Sequence, residues 1–79
     1  MKARVIVTLK SSVLDPQGEA ITSALNSLAF TDIQSIRQGK VFDIILDNIP
    51  AEIAKQKLEQ MCEQLLVNTV IENYTIELL

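Results

Sequence analysis

The hydrophobic pattern changes its period between residues 10 and 21, and that change limits the folds open to the chain. Ahead of it the residues alternate. Ala3, Val5, Val7 and Leu9 form one face, and Arg4, Ile6, Thr8 and Lys10 the other. This is the pattern of a strand rich in β-branched residues, predicted over 2–10. Beyond it Ala20, Ile21, Ala24, Leu25 and Leu28 recur at helical spacing, which predicts a helix over 17–29. The junction, Val13-Leu14-Asp15-Pro16-Gln17-Gly18, holds one of two prolines and one of two glycines. Asp15 is placed to cap the free N–H groups of the helix, and Pro16 is tolerated in a first turn. Gly18 so early in a helix costs propensity, and signals either close backbone approach or a late helix start. The corner reads as an ordinary helix entry or as a docking or ligand loop.

The rest of the chain repeats the scheme. Residues 31–47 read as two strands joined near Gln38-Gly39, with Gly39 free to take the positive φ of a tight turn. Phe42, Ile44 and Leu46 alternate there with Val41, Asp43, Ile45 and Asp47. Asp47 or Asn48, with Pro50, introduces a second helix over 51–66. Its stripe is Ala54, Leu58, Met61, Cys62 and Leu65, widened by Ile53 and Leu66. Residues 69–79 close the chain as a strand. The order β-α-β-β-α-β predicts an α+β, ferredoxin-like split βαβ fold, an antiparallel four-stranded sheet with two helices on one face. A single domain is expected over residues 1–79. Its far face would carry Ile6, Thr8, Ile44 or Ile45, and Ile71 or Tyr74. That is too apolar to stay wet, so a homodimer or tetramer joined through sheets or edge strands is expected.

Chemistry is harder to find. There is no histidine, so the usual base near neutral pH is missing. Cys62 falls in an apolar helical stripe and reads as core rather than nucleophile. Being the only cysteine, it cannot make an internal disulfide, which fits the cytoplasm. Asp43 and Asp47 would stand roughly 13 Å apart on a strand, too far for a metal pair. A formal charge of -3 and three aromatic residues argue against nucleic acid. No stretch is long enough to cross a bilayer. Arg37-Gln38-Gly39-Lys40 puts two cations beside a turn, either a solvated hairpin tip or a contact for phosphate or carboxylate. The pattern favours a binding or scaffolding protein. A small-molecule regulatory domain is the main rival, and an enzyme using only carboxylates with Arg37 and Lys40 is a weaker one.

These segments resemble the PurS family, the small subunits of phosphoribosylformylglycinamidine (FGAM) synthase. The resemblance is carried by Val13-Leu14-Asp15-Pro16-Gln17-Gly18, Ala24-Leu25, Arg37-Gln38-Gly39-Lys40 with Phe42, and Leu65-Leu66-Val67-Asn68-Thr69-Val70-Ile71-Glu72-Asn73-Tyr74. Three places depart from the family pattern. Ser11-Ser12 stands where Pro-Gly is common, Ala29 where glycine follows the first helix, and Thr69 where proline is usual. The resemblance implies a non-catalytic subunit, itself a dimer or tetramer, that organises the large synthetase PurL and the glutaminase PurQ. That assembly would convert formylglycinamide ribonucleotide, glutamine, ATP and water to FGAM, glutamate, ADP and phosphate in purine biosynthesis. ATP and Mg would belong to the large subunit, and ammonia would pass between the catalytic sites, with or without help from this chain. It implies no nucleic-acid or membrane partner. The expected docking residues are Asp15, Gln17 and Gly18 at the corner, Arg37, Gly39 and Lys40 at the hairpin tip, and Asn68 and Glu72 beside the last strand.

Overall fold

Strand β1 (Lys2–Leu9) is the middle of a three-stranded antiparallel sheet in the computed structural model, which describes residues 1–79. Helix α1 (Pro16–Ser27) follows, then β2 (Gly39–Ile45), α2 (Ala51–Met61) and β3 (Glu72–Leu78). The order across the sheet is β2-β1-β3. Val5 lies opposite Phe42 on one side and Ile76 on the other, and Val7 opposite Lys40 and Tyr74. Directly paired residues point to one face, so the odd residues of β1 join these side chains beneath the helices. Ile6, Thr8, Val41, Ile45 and Thr75 share the far face, together with Arg4, which bonds Asp43 at 2.8 Å. Ile44 and Tyr74, possible far-face residues by pattern, belong instead to the helix side.

The α+β class, the antiparallel sheet and the helices on one face follow the expectation. The fourth strand does not. Residues 33–38 are extended but pair with no strand, and no turn separates them from β2. Gly39 has no positive φ; it is the first residue of β2, opposite Thr8. A Cβ there would come within 2.3 Å of the Val7 carbonyl oxygen. The glycine admits a close strand approach rather than making a turn. The last strand also starts later than expected, because Asn68 closes a turn: its carbonyl accepts the Ile71 and Glu72 N–H groups at 3.0 and 2.8 Å.

The two helices are held differently. Ala54 and Leu58 of α2 and Cys62 just after it are fully buried, and Cys62 packs with Val5, Val7 and Val67. Burying each large side chain contributes about 1.5–3 kcal/mol. Pro50, rather than Asp47 or Asn48, is its N-cap and offers no side-chain acceptor. The helix ends in a π-helical turn, Cys62–Leu66, closed by the Val67 N–H on the Cys62 carbonyl at 3.0 Å. The wider turn rotates the register. Leu65, expected in the stripe, is 84% exposed, whereas Val67 is buried. In α1 only Gly18 is buried. Its apolar stripe, with Ile21 and Leu28 exposed, has no counterpart to rest on.

α1 ends in a Schellman motif. The Ala29 N–H donates to Asn26 and the Phe30 N–H to Leu25, at 3.1 and 3.0 Å. Ala29 has φ 73°, a region costing a residue with Cβ roughly 1–2 kcal/mol. Ala29→Gly should therefore stabilise the fold by about 1 kcal/mol after the extra unfolded-state entropy of glycine. A higher urea midpoint at unchanged slope is the expected reading.

Candidate functional site

Asp15 is the centre around which the corner is built. It is 4% exposed, and both carboxylate oxygens are engaged. Oδ1 accepts the Gly18 N–H at 2.9 Å and caps α1; Oδ2 accepts the Gln38 N–H at 2.9 Å, 23 residues along the chain. One side chain thus closes a helix start and fastens it to the entry of β2. These two N–H groups, Gly18 first, hold its carboxyl below the usual carboxylate range, and the nearby Arg37 charge acts in the same direction.

Gly18 supplies the space. An added Cβ would lie 2.1 Å from the Ile36 carbonyl oxygen and 2.9 Å from Asp15 Oδ2. Of the two readings open from sequence, close backbone approach is the one realised. α1 itself starts at Pro16, so the helix does not start late.

Arg37 is not at a hairpin tip, since no hairpin exists there. Its guanidinium reaches back to the corner and donates from Nη1 to the Val13 carbonyl at 2.7 Å and from Nη2 to the Lys10 carbonyl at 2.9 Å. The planar fork bridges two backbone acceptors, so the group is committed to structure rather than offered to a phosphate. The Lys10 N–H in turn donates to the Ile71 carbonyl at 2.8 Å, and Lys10 Nζ to Asn73 Oδ1 at 2.8 Å. The corner is tied to the start of β3 as well as to the residues before β2.

Lys40 and Glu72 complete the arrangement. Lys40 Nζ stands 3.5 Å from Glu72 Oε2, and Glu72 Oε1 accepts the Asn68 N–H at 2.8 Å. Asp15, Gln17, Gln38, Gly39, Lys40 and Glu72 line one open cleft over Val7 and Leu9. Residues of the three segments expected separately therefore line one cleft. Asn68 stands at its rim as the residue that shapes the turn. Gln38 was not among the expected docking residues, yet its N–H bonds Asp15 and its side-chain amide bonds Gln17. A partnership across 23 residues leaves no local signal. The exposed polar groups of this cleft are the Gln17 and Gln38 amides and Lys40.

Cys62 does not line this cleft. Cys62 is buried, and burial first, then the charges of Glu63 and Glu59, push its thiol up, opposite to what a nucleophile needs. A small α+β chain whose polar cleft is braced by its own backbone has the build of a recognition module.

The comparisons identify which one. The family model PurS, phosphoribosylformylglycinamidine (FGAM) synthase, matches residues 2–79, and the chain belongs to that family. It is 45% identical over 75 residues to the synthase subunit PurS of Synechocystis, covering 95% of this chain and 75% of that protein. With the Methanocaldococcus jannaschii subunit the identity is 42%, over 96% of this chain and 92% of the other. The crystal structure of that archaeal PurS, one of the subunits of formylglycinamide ribonucleotide amidotransferase in the purine biosynthetic pathway, aligns with TM-score 0.87 over 96% and 92% of the two chains. The structure of PurLQS from Thermotoga maritima contains a chain that aligns with TM-score 0.89 at 32% identity, covering 99% of this chain and 95% of that one.

Proposed function

We infer that this chain is the non-catalytic accessory subunit of an FGAM synthase and fixes the relative placement of a PurL-type synthetase and a PurQ-type glutaminase. Membership of the PurS family supports the reading, and so does similarity along nearly the whole chain to a subunit of a PurLQS structure. The observation that carries it at residue level is the cleft joining Asp15, Gly18 and Gln38 to Lys40 and Glu72. Asp15, Gly18, Arg37, Gly39 and Asn68 build its shape. Gln17, Gln38 and Lys40 present amide and charged groups to a neighbouring subunit, and Glu72 holds Lys40 in place. A few charge-assisted contacts on a rigid frame set orientation better than affinity. Orientation is what two active sites exchanging ammonia require. ATP and Mg belong to the synthetase in this reading. The single buried thiol fits a reducing cytoplasm, and no helix is long and apolar enough to cross a membrane.

The test is reconstitution with purified synthetase and glutaminase. FGAM formation from glutamine is expected to depend on this chain, whereas formation from added ammonia, which bypasses the glutaminase, is not. Equal glutamine-dependent rates with and without the chain would remove the bridging role.

A further inference from the structure

The cleft shared by Asp15, Gln17, Gln38, Lys40 and Glu72 turns its hydrogen-bond acceptors inward and keeps donors at its mouth. Both oxygens of Asp15 are taken, by the Gly18 and Gln38 N–H groups, and Glu72 Oε1 is taken by the Asn68 N–H. The side-chain amides of Gln17 and Gln38 bond each other. Such a pair uses one N–H and one carbonyl, whichever amide donates, and the N–H groups left over outnumber the carbonyl left over. The Lys40 ammonium adds further donors and no acceptor, with Glu72 Oε2 as its charge partner at 3.5 Å. Gln17, Gln38 and Lys40 are all exposed, whereas Asp15 is buried.

That surplus selects the occupant. A cation would meet donors, and a lone backbone carbonyl would leave most of them unused. A phosphate brings nearly two charges into a cleft whose own charges already balance: Asp15 lies near Arg37, and Lys40 beside Glu72. A carboxylate brings one charge and two oxygens that only accept. The floor adds a second requirement. It is made by Val7 and Leu9, so the group that carries the carboxylate must be apolar where it rests. The frame is formed in advance, because β1 pairs on both sides at Val7, with Lys40 and with Tyr74. Lys40 Nζ also lies 5.7 Å from the Phe42 ring centroid, which favours the ammonium on that wall. Little ordering is left for the moment of binding.

We propose that the cleft receives the side-chain carboxylate of a glutamate presented by one of the two catalytic subunits. One oxygen accepts from Lys40, the other from the spare amide N–H groups of Gln17 and Gln38, and the methylene stem lies on Val7 and Leu9. Aspartate, one carbon shorter, has less stem to lay on that floor. Glu72 acquires a second role: by sharing Lys40 it keeps the cleft from holding a more highly charged anion. The inference rests on the bridging role and gives the partner at this corner a chemistry.

Charge reversal in the reconstituted complex tests it. Lys40→Glu should weaken association of this chain with the synthetase and glutaminase at least about tenfold. The exposed glutamates of both subunits are then changed to lysine one at a time. One change should weaken the complex with the wild-type chain and restore it with Lys40→Glu; a complete set without a restoring partner would overturn the proposal. Should Lys40→Glu fail to fold, Lys40→Gln decides. It removes the charge alone, so its association should weaken less steeply with added salt than that of wild type, and equal slopes would contradict the contact. L-Glutamate added to the isolated chain should leave the melting temperature unchanged. A rise would assign the cleft to a free carboxylate and overturn the proposal as well. Glutamine-dependent synthesis that needs no wild-type chain would remove the bridging role itself. A chain that is required, yet as tightly bound after Lys40→Glu, removes only the carboxylate contact.

Discussion

Gly18→Ala is expected to destabilise the protein by about 2 kcal/mol, although alanine is favoured over glycine inside a helix by roughly 1 kcal/mol. The reason is the 2.1 Å separation between a new Cβ and the Ile36 carbonyl oxygen. The obstacle is backbone, not the end of a flexible side chain, so the methyl group cannot be accommodated by a rotamer change. Either α1 or residues 36–38 must move, and both motions stretch the Asp15–Gln38 bond. Inserting a methyl group into a closed site typically costs 1–3 kcal/mol, and here that must exceed the helix-propensity gain. Urea unfolding measures the outcome. A variant as stable as wild type would mean that the corner is loosely packed.

Asp15→Ala should act more severely. It removes a helix cap and also orphans the Gln38 N–H, two losses of different origin. The melting temperature is expected to fall by roughly 10–20 °C. Asp15→Asn should keep part of the stability, since its one amide oxygen still accepts a bond. The wild-type carboxyl titrates below the ordinary range. Its stabilisation is therefore complete above the unfolded-state value of about 3.9, and is lost as pH falls through the lower folded value. Urea midpoints from about pH 6 to about pH 3 should decline more steeply for wild type than for Asp15→Asn. Parallel declines would remove the linkage to this carboxyl.

The corner was legible because its signals are local. The period change at Asp15-Pro16, the cap, and the anomalous early glycine all lie within residues 13–18. β1, both helices and β3 were readable for the same reason, since their patterns repeat over several residues. β1, α2 and β3 are buried on the face the pattern names, whereas the stripe of α1 is left exposed. The errors arose where one residue type serves two ends. Gly39 carries the chemistry of a turn, yet its hydrogen is needed for the approach to Val7. Residues 33–38 were expected as a strand, but no strand of the sheet pairs with them. Leu65 was misplaced because a π-helical turn changes the period after Cys62, and nothing in the local sequence announces it. Ala29 was readable as a departure from the usual glycine, and its φ of 73° gives that departure a physical meaning.

Arg37 shows how a candidate can be right in place and wrong in use. It does belong to the site, but its donors are spent on the Val13 and Lys10 carbonyls. Arg37→Ala would be expected to loosen the corner rather than to remove a phosphate contact. Lys40, half-exposed and paired with Glu72 at 3.5 Å, is the cation that lines the cleft.

In the proposed function the corner is a shaped joint that positions two catalytic subunits. The most direct measurement combines Gln17→Ala and Lys40→Ala, which alter groups at the mouth of the cleft without touching the Asp15 and Arg37 braces. The double variant is reconstituted with synthetase and glutaminase. The predicted result is an unchanged fold and self-association, with glutamine-dependent FGAM formation reduced at least about tenfold and ammonia-dependent formation retained. Wild-type glutamine-dependent activity from the folded double variant would contradict the assignment of docking to this corner.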